Sequence, residues 1–155
     1  MTNPDKPSVI VRIATPIWLI GLIVAALVIG QLLELSPVLQ QRTVGIVVFV
    51  AGFLWSGWAV LTFRQHRAEI RPSSTVHPAF VTSGPFRWSR NPMYLGSLGI
   101  ALGAALVFGT WVMWIVPVVL FVLQNFVIIP FEERSMKQTF GEEYDAYCAR
   151  VRRWI

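Results

Sequence analysis

The sequence predicts an all-α fold, a polytopic membrane bundle of about four helices, on three observations. Hydrophobic residues make up 55% of the chain and charged residues only 14%, against about 25% charged in soluble domains. The apolar residues fall into four stretches, most of them near the ~20 residues that a helix needs to cross a bilayer. Lysines and arginines gather on alternate sides of those stretches. A mean hydropathy of +0.60 agrees, and 155 residues suit a single domain.

The first apolar stretch runs from about Ile13 to Leu33. At ~1.5 Å per residue it reaches across the hydrocarbon layer. It exceeds the apolar region of a signal peptide and is read as a retained helix. A polar link from Ser36 to Arg42, broken by Pro37, leads to a second stretch, Val44 to Phe63. These two are expected to form an antiparallel pair, residues 1–63. From Arg64 to Pro92 the chain turns polar and basic, with Pro72, Pro78, Gly84 and Pro85 breaking any long helix. Met93–Phe108 and Thr110–Phe131 are the third and fourth stretches, separated by little more than Gly109, which requires a tight hairpin. The remainder to Ile155 is amphiphilic and ends basic and aromatic.

Charge placement sets an orientation. Two basic residues precede the first helix, five lie in the long loop and five in the tail, against Arg42 alone in the first link. The positive-inside rule then puts both termini and the long loop in the cytoplasm. That asymmetry accounts for the net charge of +5 without a nucleic-acid partner. The single cysteine, Cys148, excludes an intramolecular disulfide and a cysteine metal cluster. His66 and His77 lack matching carboxylates, so no metal site is expected.

Several polar and small residues stand out. Gly96, Gly99 and Gly103 share one helix face, where a backbone or a ligand can come close; Gly96 lies nearest the loop. Glu132 and Glu133 sit where the fourth helix leaves the membrane, a costly place for charge. Glu133 is expected to pair with Lys137 at i,i+4, leaving Glu132 the freer to face a ligand cation. Gln124 and Asn125 are expected to bond between helices, Arg150, Arg152 and Arg153 to form a solvated or headgroup-facing surface, and Trp111 and Trp114 to join an interfacial aromatic belt.

The segment Val81-Thr82-Ser83-Gly84-Pro85-Phe86-Arg87-Trp88-Ser89-Arg90-Asn91-Pro92-Met93-Tyr94-Leu95-Gly96, then Glu132-Glu133, then Phe140-Gly141-Glu142-Glu143-Tyr144-Asp145-Ala146-Tyr147, and finally Arg150-Val151-Arg152-Arg153-Trp154 resembles the isoprenylcysteine carboxyl methyltransferase family. The three blocks appear in the family's order and cover about His77 to Trp154. The Asn-Pro-Met-Tyr-x-Gly-Ser stretch is also similar to the related phospholipid methyltransferases.

The resemblance implies a cytoplasm-facing cleft for S-adenosylmethionine, built by residues 64–155. Pro78, Ala79, Phe80, Val81 and Phe86 would line the cofactor, Asn91, Pro92, Met93, Tyr94 and Gly96 would hold it at the helix start, and Glu132 would contact it. Asn91, Tyr94 and Glu132 would be the catalytic residues. The acceptor would be a small apolar or lipid-like molecule entering from the bilayer, such as an isoprenylcysteine-type carboxylate. A phospholipid amine and a non-catalytic membrane scaffold are the alternatives. Two positions depart from the prenylcysteine pattern: Asn91 stands where histidine is common, and Ile128 where an arginine is associated with the substrate carboxylate. Asparagine does not titrate near neutrality, so a histidine-dependent proton step is ruled out there.

Overall fold

A computed structural model describes residues 15–68 and 80–155. Among these residues all regular structure is helical. Helix α1 spans Thr15–Leu32, α2 Arg42–Ala68 and α3 Pro92–Phe108. Helix α4 is continuous over Trp111–Phe140, and α5 covers Glu142–Arg150. A 3₁₀ turn, Gly84–Arg87, precedes α3.

Helices α1, α2 and α4 are long and apolar enough to cross a membrane, while α3 is a shorter apolar helix of 17 residues. Large apolar side chains on the outer surface, including Ile17, Ile20, Val47 and Phe53, are exposed. That pattern suits lipid as the surrounding solvent.

Local chemistry sets the ends of the central hairpin. Pro92 occupies the first turn of α3, where its missing N–H costs nothing. Gly109 ends α3 at φ 73°, a left-handed conformation that glycine adopts without strain. The Thr110 hydroxyl then caps α4 by accepting from the Met113 N–H at 3.4 Å.

Helix α4 carries a feature the apolar pattern did not disclose, a π-helical turn at Gln124–Ile128. Pro130 lies just beyond it; a proline lacks an N–H and its ring crowds the carbonyl four residues back. Widening the preceding turn accommodates that ring and lets the helix continue past the expected end at Phe131 to Phe140.

The two N-terminal helices do not pack as a pair, contrary to expectation. Helix α1 lies against α4 and, less extensively, α3, whereas α2 lies along α3. The reason is glycine. A Cβ built at Gly52 of α2 would lie 2.7 Å from the Gly96 carbonyl oxygen, and one at Gly103 would lie 2.5 Å from the Phe49 nitrogen. Only the glycine faces of α2 and α3 allow such backbone approach. Helix α1 instead joins an apolar core of Leu19, Ala26, Met113, Val116 and Leu120.

The link between α1 and α2 passes beneath the α3–α4 turn. Val38 and Leu39 N–H groups donate to the Gly109 carbonyl at 2.9 and 3.2 Å, and Gln40 Nε2 donates to the Val107 carbonyl at 2.8 Å. Trp114 donates to the Leu39 carbonyl at 3.4 Å, while Trp111 is exposed beside it.

Substituting Gly52→Val is expected to separate α2 from α3. Overpacking costs of ~1–3 kcal/mol are typical where backbone has to shift. A lowered melting temperature in detergent, larger than that of Gly57→Val, checks this; a Cβ at Gly57 meets nothing within 4 Å.

Candidate functional site

Polar groups converge at the end of the bundle where α3 begins. The loop and the C-terminal tail are tied by backbone and side-chain bonds. Arg90 N–H donates to the Arg152 carbonyl at 3.0 Å. Asn91 Nδ2 and Ser89 Oγ donate to the Arg153 carbonyl at 3.1 and 3.3 Å. Asn91, which precedes α3, thus spends its amide on the tail and makes no side-chain cap.

Glu133 clamps this junction. Its carboxylate accepts from Arg153 Nε and Nη2 at 3.1 and 2.5 Å and pairs with Arg90 at 3.3 Å. The expected partner, Lys137, turns instead to Asp145 of α5 at 3.0 Å. A planar guanidinium offers two parallel donors where an ammonium offers one point charge, which favours the distant arginine over the helical neighbour. Arg153 is consequently part of the interior junction and not of a solvated face. Burial works against the charge on Arg90, but the Glu133 carboxylate together with Cys148 and Tyr144 outweighs it and holds the guanidinium above its ordinary value. Asn125 completes the dock by accepting from Trp154 Nε1 at 3.1 Å. Gln124 bonds between helices, donating to Ser97 Oγ at 2.7 Å.

Glu132, about 100° further round the helix, faces elsewhere. Its carboxylate accepts from the Tyr94 hydroxyl at 2.6 Å. The partner missing along α4 comes from the first turn of α3. No lysine or arginine pairs with Glu132 among the described residues, so its negative charge is held in place but not neutralised.

From Glu132 the same side of α4 continues through Met136 to Phe140, at steps of four residues. Phe140 stacks on Phe80 with centroids 4.9 Å apart. Tyr144 and Tyr147 of α5 meet Phe80 edge-on at 5.9 and 5.1 Å. The Tyr147 hydroxyl donates to the Phe86 carbonyl at 2.7 Å, and Val81 is buried nearby in sequence. Eight residues of helix place the carboxylate and the aromatic cluster ~12 Å apart along the axis.

Burial pushes the Tyr147 hydroxyl up to about 12, despite the nearby Arg90 charge, and also raises Tyr144. Unfolded tyrosine ionises near pH ~10. The contribution of Tyr147 to stability is therefore intact below pH ~10 and is lost as pH climbs through about 12. In an alkaline titration followed by tyrosinate absorption and helix content, Tyr147→Phe is expected to flatten part of that loss. At neutral pH it should cost ~1 kcal/mol, the net worth of one hydrogen bond.

Of the remaining sequence candidates, Pro92 is fully buried and Met93 accepts from Ser56 Oγ at 3.0 Å through its carbonyl. Gly96 faces α2: a Cβ there would meet Gly52 and Ser56 at 2.7–2.8 Å, so helix packing already fills that face. Pro78 and Ala79 lie outside the described residues, as does His77. His66 ties the loop to α2, with Nε2 3.1 Å from Ser83 Oγ. Sequence reasoning assigned no site role to Phe140, Tyr144 or Tyr147 and missed the role of Arg153, and it expected Asn125 to bond between helices where it instead meets the tail. The spacing Tyr144, Tyr147 was a usable signal, since a step of three puts two rings on one side of a helix; Phe140 joins them from the end of the preceding helix.

Apolar helices long enough to cross a membrane, with a carboxylate, a tyrosine and an aromatic cluster gathered at one end, define an integral-membrane protein. The phospholipid methyltransferase family model matches residues 40–143. The chain belongs to that family and is a membrane methyltransferase. No curated protein and no solved structure matches it significantly.

Proposed function

We propose that the protein transfers a methyl group from S-adenosylmethionine to a lipid that enters from the bilayer. The observation that carries this reading is the line from Tyr94–Glu132 to Phe80, Phe140 and Tyr144. It offers a negative charge at one end and π faces at the other. A ligand with a cationic centre and a purine needs both. When bound, S-adenosylmethionine supplies an electrophilic methyl on a positively charged sulfur.

The chain's own contribution is positioning. Tyr94 fixes the Glu132 carboxylate, Glu132 offsets a cation, and Asn91 holds loop and tail together so that the helix start is preformed. Val81, Phe86, Pro92 and Met93 would form the surrounding wall; Pro78 and Ala79, outside the described residues, are proposed as cofactor contacts from the family resemblance alone. Orienting two reactants and excluding water lowers a displacement barrier, and the transfer itself moves no proton once the acceptor is deprotonated.

Family membership favours a phospholipid amine as acceptor over an isoprenylcysteine-type carboxylate. An amine has to shed its proton before attack, and Glu132 is the nearest candidate to relieve it. Both termini and this end of the bundle face the cytoplasm by the distribution of positive charge, with residues 1–63 serving as membrane support for the 64–155 half.

Calorimetry of S-adenosylmethionine and S-adenosylhomocysteine against the detergent-purified chain tests the cofactor. Incubation with methyl-labelled cofactor and either phosphatidylethanolamine or a prenylcysteine tests the acceptor. Saturable binding and label in the phospholipid are expected. No binding by a folded sample would leave a non-catalytic scaffold.

A further inference from the structure

A second cavity, of about 480 Å³, opens between α2, the loop before α3 and the C-terminal tail. It shares no residue with the Tyr94–Glu132 line. Trp55, Trp88 and Trp154 are among its walls, and Arg87, Arg150 and Arg152 stand around it. No acidic residue lines it. Its volume lies within the ~300–1,000 Å³ of small-molecule sites.

The walls are preorganised. Trp55 and Trp88 lie 6.0 Å apart, and Trp58 braces both at 5.7 Å. The Trp55 indole N–H is buried and has no hydrogen-bond partner, so it is a donor in want of an acceptor. No carboxylate pairs with Arg87, Arg150 or Arg152 among the described residues. Trp55 belongs to the apolar α2 span, whereas the three arginines come from segments beyond the spans. The cavity therefore straddles the boundary between hydrocarbon and headgroups, where tryptophan and arginine are both favoured.

We infer that this cavity holds one anionic glycerophospholipid, its phosphate among Arg87, Arg150 and Arg152 and the start of its acyl chains against Trp55 and Trp88. Charge decides the class of lipid. Three guanidinium groups with no acidic side chain among the lining residues attract a net negative headgroup, and a zwitterionic one would bring an ammonium into the same positive field. The cavity wall includes Ser89 and Arg152, whose neighbours Arg90, Asn91 and Arg153 form the clamp with Glu133. A lipid seated there braces the loop–tail junction from its outer side.

The test uses the full chain in uncharged detergent, with tryptophan fluorescence and melting temperature as readouts. Dihexanoyl phosphatidylglycerol is titrated below its micelle concentration, beside dihexanoyl phosphatidylcholine and inorganic phosphate. Expected are a saturable fluorescence change and a raised melting temperature with phosphatidylglycerol alone. The Arg87→Gln, Arg150→Gln, Arg152→Gln variant should bind about tenfold more weakly or worse, and its lysine counterpart should retain most of the affinity. The lysine variant serves if the glutamine one does not fold. An equal response to phosphatidylcholine means apolar partitioning only, and an equal response to phosphate means a free-anion site; either overturns the inference. Wild-type affinity in the glutamine variant, or loss of affinity in a folded lysine variant, overturns it as well.

Discussion

Glu132→Gln is expected to lower cofactor-dependent methyl transfer by about a hundredfold, equivalent to ~2.7 kcal/mol of lost stabilisation. The substitution keeps the size of the side chain and its capacity to accept from the Tyr94 hydroxyl, now 2.6 Å away. What it removes is the charge, and no other cation neutralises that charge among the described residues. The loss should therefore appear in cofactor affinity while the melting temperature stays close to that of the unaltered chain. Tyr94→Phe should reproduce a smaller part of the effect, because the carboxylate keeps its charge but loses the donor that orients it. Calorimetric affinity and initial rates, measured on the same preparations, check both. An unchanged affinity in Glu132→Gln would separate this carboxylate from the cofactor.

Glu133→Gln, one residue away, is expected to behave in the opposite manner. It strips the shared partner from Arg90 and Arg153, whose side chains are 17% and 34% exposed. Removing one member of a fully buried pair costs ~3–5 kcal/mol. Partial exposure reduces that to about 2–3 kcal/mol here, since solvent screens the guanidinium groups left behind. The melting temperature should fall by several degrees, and protease should reach the tail after α5 sooner. Cofactor binding should fall only as far as the docked loop is lost. A stable Glu133→Gln chain with an accessible tail unchanged would show that the backbone bonds to Arg152 and Arg153 suffice.

These contrasting outcomes for adjacent glutamates mark what sequence could and could not reveal. Glu132 was legible as the freer carboxylate because no cation lies four residues on. Its real partner, Tyr94, is 38 residues distant, and helical spacing says nothing about a residue on another helix. Glu133 was assigned to Lys137 by the same local rule, and lost it to an arginine 20 residues away. The spans were legible because length and apolarity are local properties. The far end of α4 was not, since Glu132 and Glu133 end the apolar run while the helix continues to Phe140. Gly96, Gly99 and Gly103 correctly signalled close approach, yet a glycine face does not say whether backbone or ligand arrives; α2 took the place at Gly96. The π turn left no periodic trace beyond the isolated Pro130.

The arrangement in which α1 rests on α4 while α2 rests on α3 has a consequence for biogenesis. A ribosome delivers α1 well before α4, its principal partner, so α1 enters the bilayer ahead of the helix it packs against. The α2–α3 contact can close as soon as α3 is made, through glycine faces that need no other element. Helix α1 must remain in lipid on its own strength until α4 arrives, and its almost uninterrupted apolar composition, from Pro16 to Gly30, fits that wait. Among the described helices assembly thus starts with the α2–α3 pair, and α1, though made before both, is seated after them.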